Sequence, residues 1–343
     1  MLKKLLIVYA GGTIGMSQTA VGLAPCQDFS KLLTAKIKTS NYKNLIEFKI
    51  QPLTPLLDSA NTCQIQWKQI ADLLAENYTK YDGFIILHGT DTMSYTASML
   101  SFMLNPLSKP VIFTGAQLPV NNPKTDGWRN IFGSIACAID ANIKEVGLFF
   151  DGFLFRANRT TKVDTLGYRA FSSPNFPELG TYQDNKLVLN SNYLLRNEPD
   201  YITNKNFDLF CSSQQLVHIV YIYPGIDETW INQALDSNIK AIIFLTLGSG
   251  NVPQLSKSLL KKIATLANTN RMIINISQCF KGKTDQSIYG VSSSLIDNGV
   301  VDMTDITLEA AFCKLHYLYS RYNRLIDIKN FIKTPIAGEF SIA

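Results

Sequence analysis

Three short polar stretches combine residue types that hydrolytic chemistry needs, and each follows an apolar run. Gly11-Gly12-Thr13-Ile14-Gly15 follows Leu5–Ala10, and His88-Gly89-Thr90-Asp91-Thr92 closes Gly83–Leu87. Arg156-Ala157-Asn158-Arg159-Thr160-Thr161-Lys162 comes shortly after Gly147–Phe150. Ligands of open α/β sheets sit beyond the carboxyl ends of the strands, so all three positions suit a site. A hydroxyl nucleophile needs a base, and an amide substrate needs its developing oxyanion stabilised. Thr13 or Thr90 offers the nucleophile, Lys162 the base and Asp91 the group that orients it. Backbone amides of the glycine turns offer the oxyanion site. Each stretch also has a plainer reading. The first is a glycine turn with an incidental threonine, Asp91 is a helix cap, and the third is a solvated loop.

Other chemistries fit less well. The first stretch is not GxGxxG and lacks the Gly-Lys-Ser/Thr of a phosphate loop, so neither a dinucleotide nor a nucleotide cofactor is expected. The three histidines, His88, His218 and His316, are too scattered for a Ser-His-Asp triad. His218 lies in an apolar strand and reads as a core residue. No Asp, Glu, His and Cys cluster has ligand spacing, so no metal is expected.

The elements that must position these residues alternate. Leu5–Ala10, Phe48–Pro52, Phe84–His88, Val111–Thr114 and Val146–Phe150 read as strands. Phe29–Thr39, Thr62–Asn77, Thr92–Leu104 and Trp128–Ala141 read as helices, the second opened by the cap pair Asn61 and Gln64. After the polar text near Pro199–Asn206 the alternation resumes. Strands are expected at Val217–Tyr223, Ala241–Leu247 and Met272–Ile276, and helices at Thr229–Leu235, Ser256–Ala267 and Leu308–Tyr319. The pattern predicts two α/β domains: residues 1–195 with a mostly parallel sheet flanked by helices and the catalytic residues, a linker at 196–212, and a smaller α/β domain at 213–343.

With 343 residues and 46% hydrophobic content, the chain can bury two cores. Its net charge of +5 is scattered, with no run of like charges, which argues against a nucleic-acid or membrane-surface partner. The apolar run near the N-terminus is shorter than a secretion signal's core and flows into a glycine turn, so a buried first strand is expected. No apolar stretch is long enough to span a membrane. Six dispersed cysteines with no CxxC pair read mostly as small core residues, and a reduced cytoplasm is the expected setting.

In this order the three stretches resemble the asparaginase/glutaminase family, specifically its bacterial cytoplasmic type I branch. Further matching text runs through Tyr81–Leu104, Lys109–Pro119, Ile222–Ile226, Gly248–Gln254 and Leu308–Leu318, so the resemblance covers nearly the whole chain. It implies that Thr13 is the nucleophilic threonine of the first motif. It further implies that Thr90, Asp91 and Lys162 form a second catalytic set, with Gly89 beside them. Asp91 would also hold the substrate α-amino group and Ser59 the α-carboxylate, with Asp58 beside Ser59 among the substrate-binding residues. The Ala116 carbonyl would receive the substrate amide. The implied reaction converts L-asparagine to L-aspartate and ammonia through an acyl-enzyme ester. A homodimer or homotetramer is implied as well.

Two positions depart from the family pattern. Leu23 stands where a loop tyrosine is usual, and Leu245 where some type I members carry an arginine that binds an activating asparagine. Thr161 and Cys279 occupy neighbouring positions of that activator site, which would be vestigial here, with Lys281 and Lys283 the nearest cations in sequence to Cys279. Three other readings compete: a glutaminase-asparaginase of broad specificity, the ammonia-generating subunit of a tRNA amidotransferase, and a non-catalytic amino-acid binding protein. Amidotransferase chains carry an extra N-terminal domain, whereas Thr13 here lies close to the first methionine. Intact Thr13, Thr90, Asp91 and Lys162 argue against a mere binder.

Overall fold

The first strand, β1 (Lys3–Gly11), is buried from Leu5 onward on both faces, the signature of a central strand in a parallel sheet. The computed structural model describes residues 2–196, 207–269, 271–285 and 295–342. The chain divides into two units, Met1–Leu209 and Phe210–Ala343. The expected linker at 196–212 falls mostly on residues 197–206, which lie outside the described residues.

In the first unit, β1 leads through the hairpin β2 (Met16–Thr19) and β3 (Gly22–Pro25) and helix α1 (Phe29–Lys38) to β4 (Ile46–Leu57). Helix α2 (Gln64–Asn77) returns the chain to β5 (Gly83–Leu87), α3 (Met93–Met103) to β6 (Val111–Thr114), and α4 (Gly127–Ala138) to β7 (Val146–Phe150). β8 (Phe153–Arg156) then turns back antiparallel. A small hairpin of β9 (Thr161–Lys162) and β10 (Phe171–Ser172) follows, and β11 (Gly180–Gln183) and β12 (Lys186–Leu189) complete the sheet. Its order is β12-β11-β8-β7-β6-β5-β1-β4. β4, β1, β5, β6 and β7 run parallel. The chain leaves β1 towards β4 on one side and comes back as β5 on the other. The crevice beyond β1 and β5 is therefore a topological switch point.

Alternation along β1 sorts the core. Leu5, Ile7 and Tyr9 pack with Phe29, Leu33 and Ile37 of α1 and with Ile131 and Ile135 of α4. α3 packs on α2 and against β6 and β7, and all its residues but Tyr95 are buried. The expected cap of α2 moves. Cys63, not Asn61, precedes the helix and shares a reciprocal capping box with Gln66, while the Asn61 amide donates to Asp58. Helix formation begins later because residues Ser59–Asn61 form their own tight turn.

The second unit holds β13 (Val217–Tyr221), β14 (Ala241–Thr246), β15 (Met272–Ser277) and β16 (Val301–Asp302), parallel and in sequence order. Helices α5 (Glu228–Asp236) and α6 (Lys257–Thr269) pack on one core, and the helices Leu308–Tyr319 and Leu325–Ile332 on another. His218 is exposed, contrary to expectation, because β13 is an edge strand; His88 and His316 are the buried histidines. All six cysteines lie among the described residues, and none of them is joined in a disulfide. Cys137, Cys211 and Cys313 are buried, Cys26 and Cys63 half-buried, and Cys279 exposed. Among the described residues no helix is long and apolar enough to cross a membrane.

Candidate active site

Three strand ends meet at the switch point, and glycine makes the approach possible. Gly12 has φ +90°, and a Cβ there would lie 2.5 Å from the Gly89 nitrogen. A Cβ on Gly89 would lie 2.4 Å from Ser59 Oγ. Side chains at these two positions would force apart the ends of β1, β5 and β4. Thr13 and Thr90, each following one of these glycines, consequently flank the contact.

Thr13 opens the turn Thr13–Gly15, which Tyr9 holds from within β1 by donating its phenol to the Gly15 carbonyl at 3.1 Å. Burial pushes that phenol up to about 12, so it stays a neutral donor. The Thr13 hydroxyl bonds to no other described residue. Leu23 lies on β3 opposite Gln18 and is half exposed.

Lys162 Nζ is 2.8 Å from Thr90 Oγ1 and 2.8 Å from Asp91 Oδ1. Asp91 does not cap α3; its carboxylate turns to the lysine, and its side chain is 62% exposed. A pair this wet adds little stability, so its value is positional. The ammonium is aimed by β9, which pairs Lys162 with Phe171. The hairpin tip is tied down where Gln117 Nε2 donates to the Gly167 carbonyl at 3.0 Å. Lys162 and the Ala116 turn are thereby held together.

The stretch before Lys162 is not the solvated loop its charges suggested. Arg156, Asn158 and Arg159 are buried. Arg156 pairs with buried Glu145 at 2.7 Å and donates to the Tyr193 carbonyl at 2.6 Å, and both arginines lie over the Phe176 ring. Removing one member of such a pair leaves an uncompensated buried charge, at a cost of about 3–5 kcal/mol.

Ser59 and Asp58 lie on the turn after β4. The Asp58 carboxylate accepts from the Ala60 amide at 3.1 Å and from Asn61 Nδ2 at 3.0 Å, so it holds the turn. Buried Ser59 keeps its hydroxyl unbonded among the described residues. Buried Ala116 lies between Gly115, whose carbonyl accepts from Asn130, and Gln117, whose amide donates to Asp126. No described residue bonds the Ala116 carbonyl. Thr161 pairs with Ser172 in the first unit, Cys279 is exposed in the second, and the Leu245 side chain is packed in an apolar core.

Several supporting residues were missed in the sequence. His88 is fully buried, and burial lowers its pKa to about 4. Trp67 Nε1 can only donate, and it reaches Thr96 Oγ1 at 3.2 Å. Thr96 in turn gives its hydroxyl to His88 Nε2 at 3.2 Å, which leaves Nδ1 to donate to the Gly89 carbonyl at 2.8 Å. The carbonyl of the Gly89–Thr90 peptide is thus fixed on His88. Across a trans peptide the Thr90 N–H must point the other way. Asp126, Asn130 and Tyr9 do similar work elsewhere. The signal that could have exposed His88 was its place in HGTDT, which set it beside Gly89. Its partners Thr96 and Trp67 come from helices whose packing no local pattern reports.

Fold and site together define a two-unit α/β protein with a threonine–lysine–aspartate site at its switch point. Residues 4–194 match the family model for the asparaginase N-terminal domain, and residues 216–332 that for the glutaminase/asparaginase C-terminal domain. L-asparaginase 1 of Escherichia coli K12 is 36% identical over 339 residues, covering 99% of this chain and 98% of that one. L-asparaginase I of Vibrio cholerae superposes with TM-score 0.88 at 36% identity, covering all of both chains. The thermostable L-asparaginase of Thermococcus kodakarensis gives TM-score 0.88 at 26% identity, covering 99% of this chain and 100% of that one. The chain belongs to the asparaginase family.

Proposed function

We propose that the protein hydrolyses the side-chain amide of L-asparagine, giving L-aspartate and ammonia through a threonine acyl-enzyme. The observation that carries this reading is Lys162 Nζ at 2.8 Å from both Thr90 Oγ1 and Asp91 Oδ1, together with a Thr13 whose hydroxyl has no partner among the described residues. A threonine acyl-enzyme is the general mechanism of the family.

Thr13 Oγ attacks the amide carbon, and its proton passes to the leaving nitrogen. The C–N bond breaks, ammonia departs, and an ester remains. The Thr90–Lys162–Asp91 set manages the proton traffic of attack and of ester hydrolysis, in which water adds to the carbonyl and returns the hydroxyl. Developing negative charge on the substrate oxygen suits the Thr90 N–H, which no described residue engages. A preformed donor of this kind needs no reorganisation as charge builds. The exposed edge of Asp91 takes the α-ammonium, Ser59 the α-carboxylate, and the Ala116 carbonyl the substrate amide. No metal or other cofactor is invoked, and dialysis against EDTA should leave turnover unchanged. Restoration of lost turnover by zinc or manganese would overturn that.

The cytoplasm, and a homodimer or larger oligomer, are the setting and assembly proposed with this activity. Light scattering at assay concentration tests the second. Ammonia release from asparagine is the direct test of function. No release would reduce the chain to an amino-acid binder. The same assay with glutamine sets the breadth of specificity, because one methylene discriminates by only ~1–3 kcal/mol unless polar groups are misplaced.

A further inference from the structure

The N-cap of α3 breaks a local rule. Threonine at an N-cap ordinarily accepts a hydrogen bond from an amide of the helix's first turn. Thr92 makes no such bond. Its hydroxyl instead donates to the Ser59 carbonyl at 2.6 Å, across 33 residues of sequence. Departures of this kind from local preference concentrate at functional sites.

The bond joins two parts of the site that no backbone ladder connects. On one side is the loop carrying Thr90 and Asp91, which Lys162 already grips. On the other is the turn Ser59–Asn61, held internally by Asp58 and by Thr62 N donating to the Ser59 carbonyl at 3.2 Å. Internal bonds shape this turn but do not fix where it stands relative to Thr90. Gly89 limits its approach from one direction, since Ser59 Oγ already sits where a Gly89 Cβ would be. Thr92 ties the Ser59 carbonyl to the Thr90–Asp91 loop. A neighbouring hydroxyl does a parallel job for Lys162. Thr160 gives its proton to the Ala157 carbonyl at 2.6 Å, so Ser94 must donate to Thr160 at 2.9 Å.

We infer that Thr92 is a positioning residue that sets the Ser59 turn against the Thr90–Asp91 loop, and with it the span between the groups that hold the two ends of the amino-acid substrate. The inference rests on the function proposed above. Asp91 holds the α-ammonium and Ser59 the α-carboxylate of one and the same carbon, so the distance between them governs affinity more than chemistry. Thr92 touches neither substrate nor reacting atoms.

The test measures KM and kcat for asparagine in the full protein with Thr92→Val, Thr92→Ser, Ser59→Ala and the Thr92→Val/Ser59→Ala pair. Thr92→Val removes the hydroxyl at nearly constant shape. It should raise KM about three- to tenfold, the loss that goes with one neutral hydrogen bond, with a smaller change in kcat. Thr92→Ser should recover most of that loss. In the double variant KM should match Ser59→Ala alone, because Thr92 acts through Ser59. A KM within twofold of the unmodified protein, a loss in kcat alone, or additive effects in the double variant would each overturn the inference. Thr92→Ala is carried in parallel, and failure of both variants to fold would make Thr92 a folding residue and likewise overturn it. Binding of L-aspartate by calorimetry on the same proteins needs no turnover. It distinguishes the two failures: an unmodified protein that releases no ammonia sinks the proposed function, whereas unchanged aspartate affinity in Thr92→Val sinks the role of Thr92.

Discussion

The parallel strands of the two main sheets end differently. In the first unit the strand order reverses between β1 and β5, and the loops after β1, β4 and β6 leave the Thr13 and Ser59 hydroxyls and the Ala116 carbonyl without partners among the described residues. In the second unit β13 to β16 follow one another without reversal. Polar side chains at those strand ends are committed inward. Thr246 donates to Asn275 at 2.6 Å, Gln278 Nε2 donates to the carbonyls of Ile222 and Leu245, and Thr284 bonds to Asp302. Among the buried side-chain atoms described at these strand ends, the Asn275 amide nitrogen is left unbonded. A reversal pulls neighbouring connections to opposite sides and opens a crevice, whereas a sequential sheet lets each connection close over the last. Residue type alone does not make a site; the same hydroxyls and amides serve as structure where the topology lets them pair.

The largest effects should test this contrast directly. Thr13→Ala, Thr90→Val and Lys162→Met should each lower kcat by roughly three orders of magnitude or more while circular dichroism is unchanged. Near-normal kcat in both threonine variants would leave neither as nucleophile. At the closed end of the other sheet, Thr246→Val should instead register in stability. It leaves the Asn275 amide with no partner, a loss of ~1–3 kcal/mol in urea unfolding. An unchanged midpoint would mean the buried pair is not the structural device the comparison makes it.

Gly12→Ala attacks the crevice without touching a reactive group. Its new methyl must move the Gly89 backbone, and a displacement of about 1 Å near reacting atoms loses on the order of a hundredfold in kcat. A fully active Gly12→Ala protein would show that the strand ends can separate without consequence.

A smaller effect comes from the buried histidines. Burial lowers His88 and His316 to about 4. Both are neutral in either state above their unfolded value near 6.5. As pH falls from about 6.5 towards 4, only the unfolded chain takes up these protons. Stability therefore drops, by at most ~1.4 kcal/mol per pH unit for each histidine. Urea unfolding at about pH 7 against about pH 5, in the unmodified protein and in His88→Gln, would show a shallower dependence on pH in the variant. Equal slopes would mean that His88 takes up its proton in the native site over the same pH range as in the unfolded chain.

Two further effects are smaller still. If the phenol missing at Leu23 is a real loss, Leu23→Tyr should raise kcat; an unchanged or lower value would indicate that the site has settled into another arrangement. Saturation with asparagine should be hyperbolic, because Leu245 is packed in an apolar core and offers no fork for an activator carboxylate. A Hill coefficient clearly above one, abolished by Thr161→Ala, would show that an activator site persists without its arginine.

Composition, motif and alternation were enough to place the chemistry on strand ends. The buried runs of β1, β5, β6 and β7 read correctly because continuous apolar text leaves a central strand few alternatives. Thr13, Thr90, Asp91 and Lys162 were legible as candidates because glycine, hydroxyl and charged types cluster after those runs. What only the tertiary structure decided is which polar groups found partners. Asp91 passed over a helix cap for a lysine 71 residues away. Arg156 read as solvent-facing until Glu145 and Tyr193 closed around it, and His218 read as core until β13 proved to be an edge. Thr92 gave up its cap for Ser59. Each outcome rests on a bond between residues distant in sequence. Local pattern fixes which face an element buries, but a hydrogen bond depends on where two elements come to lie, and that is set only when the whole core packs.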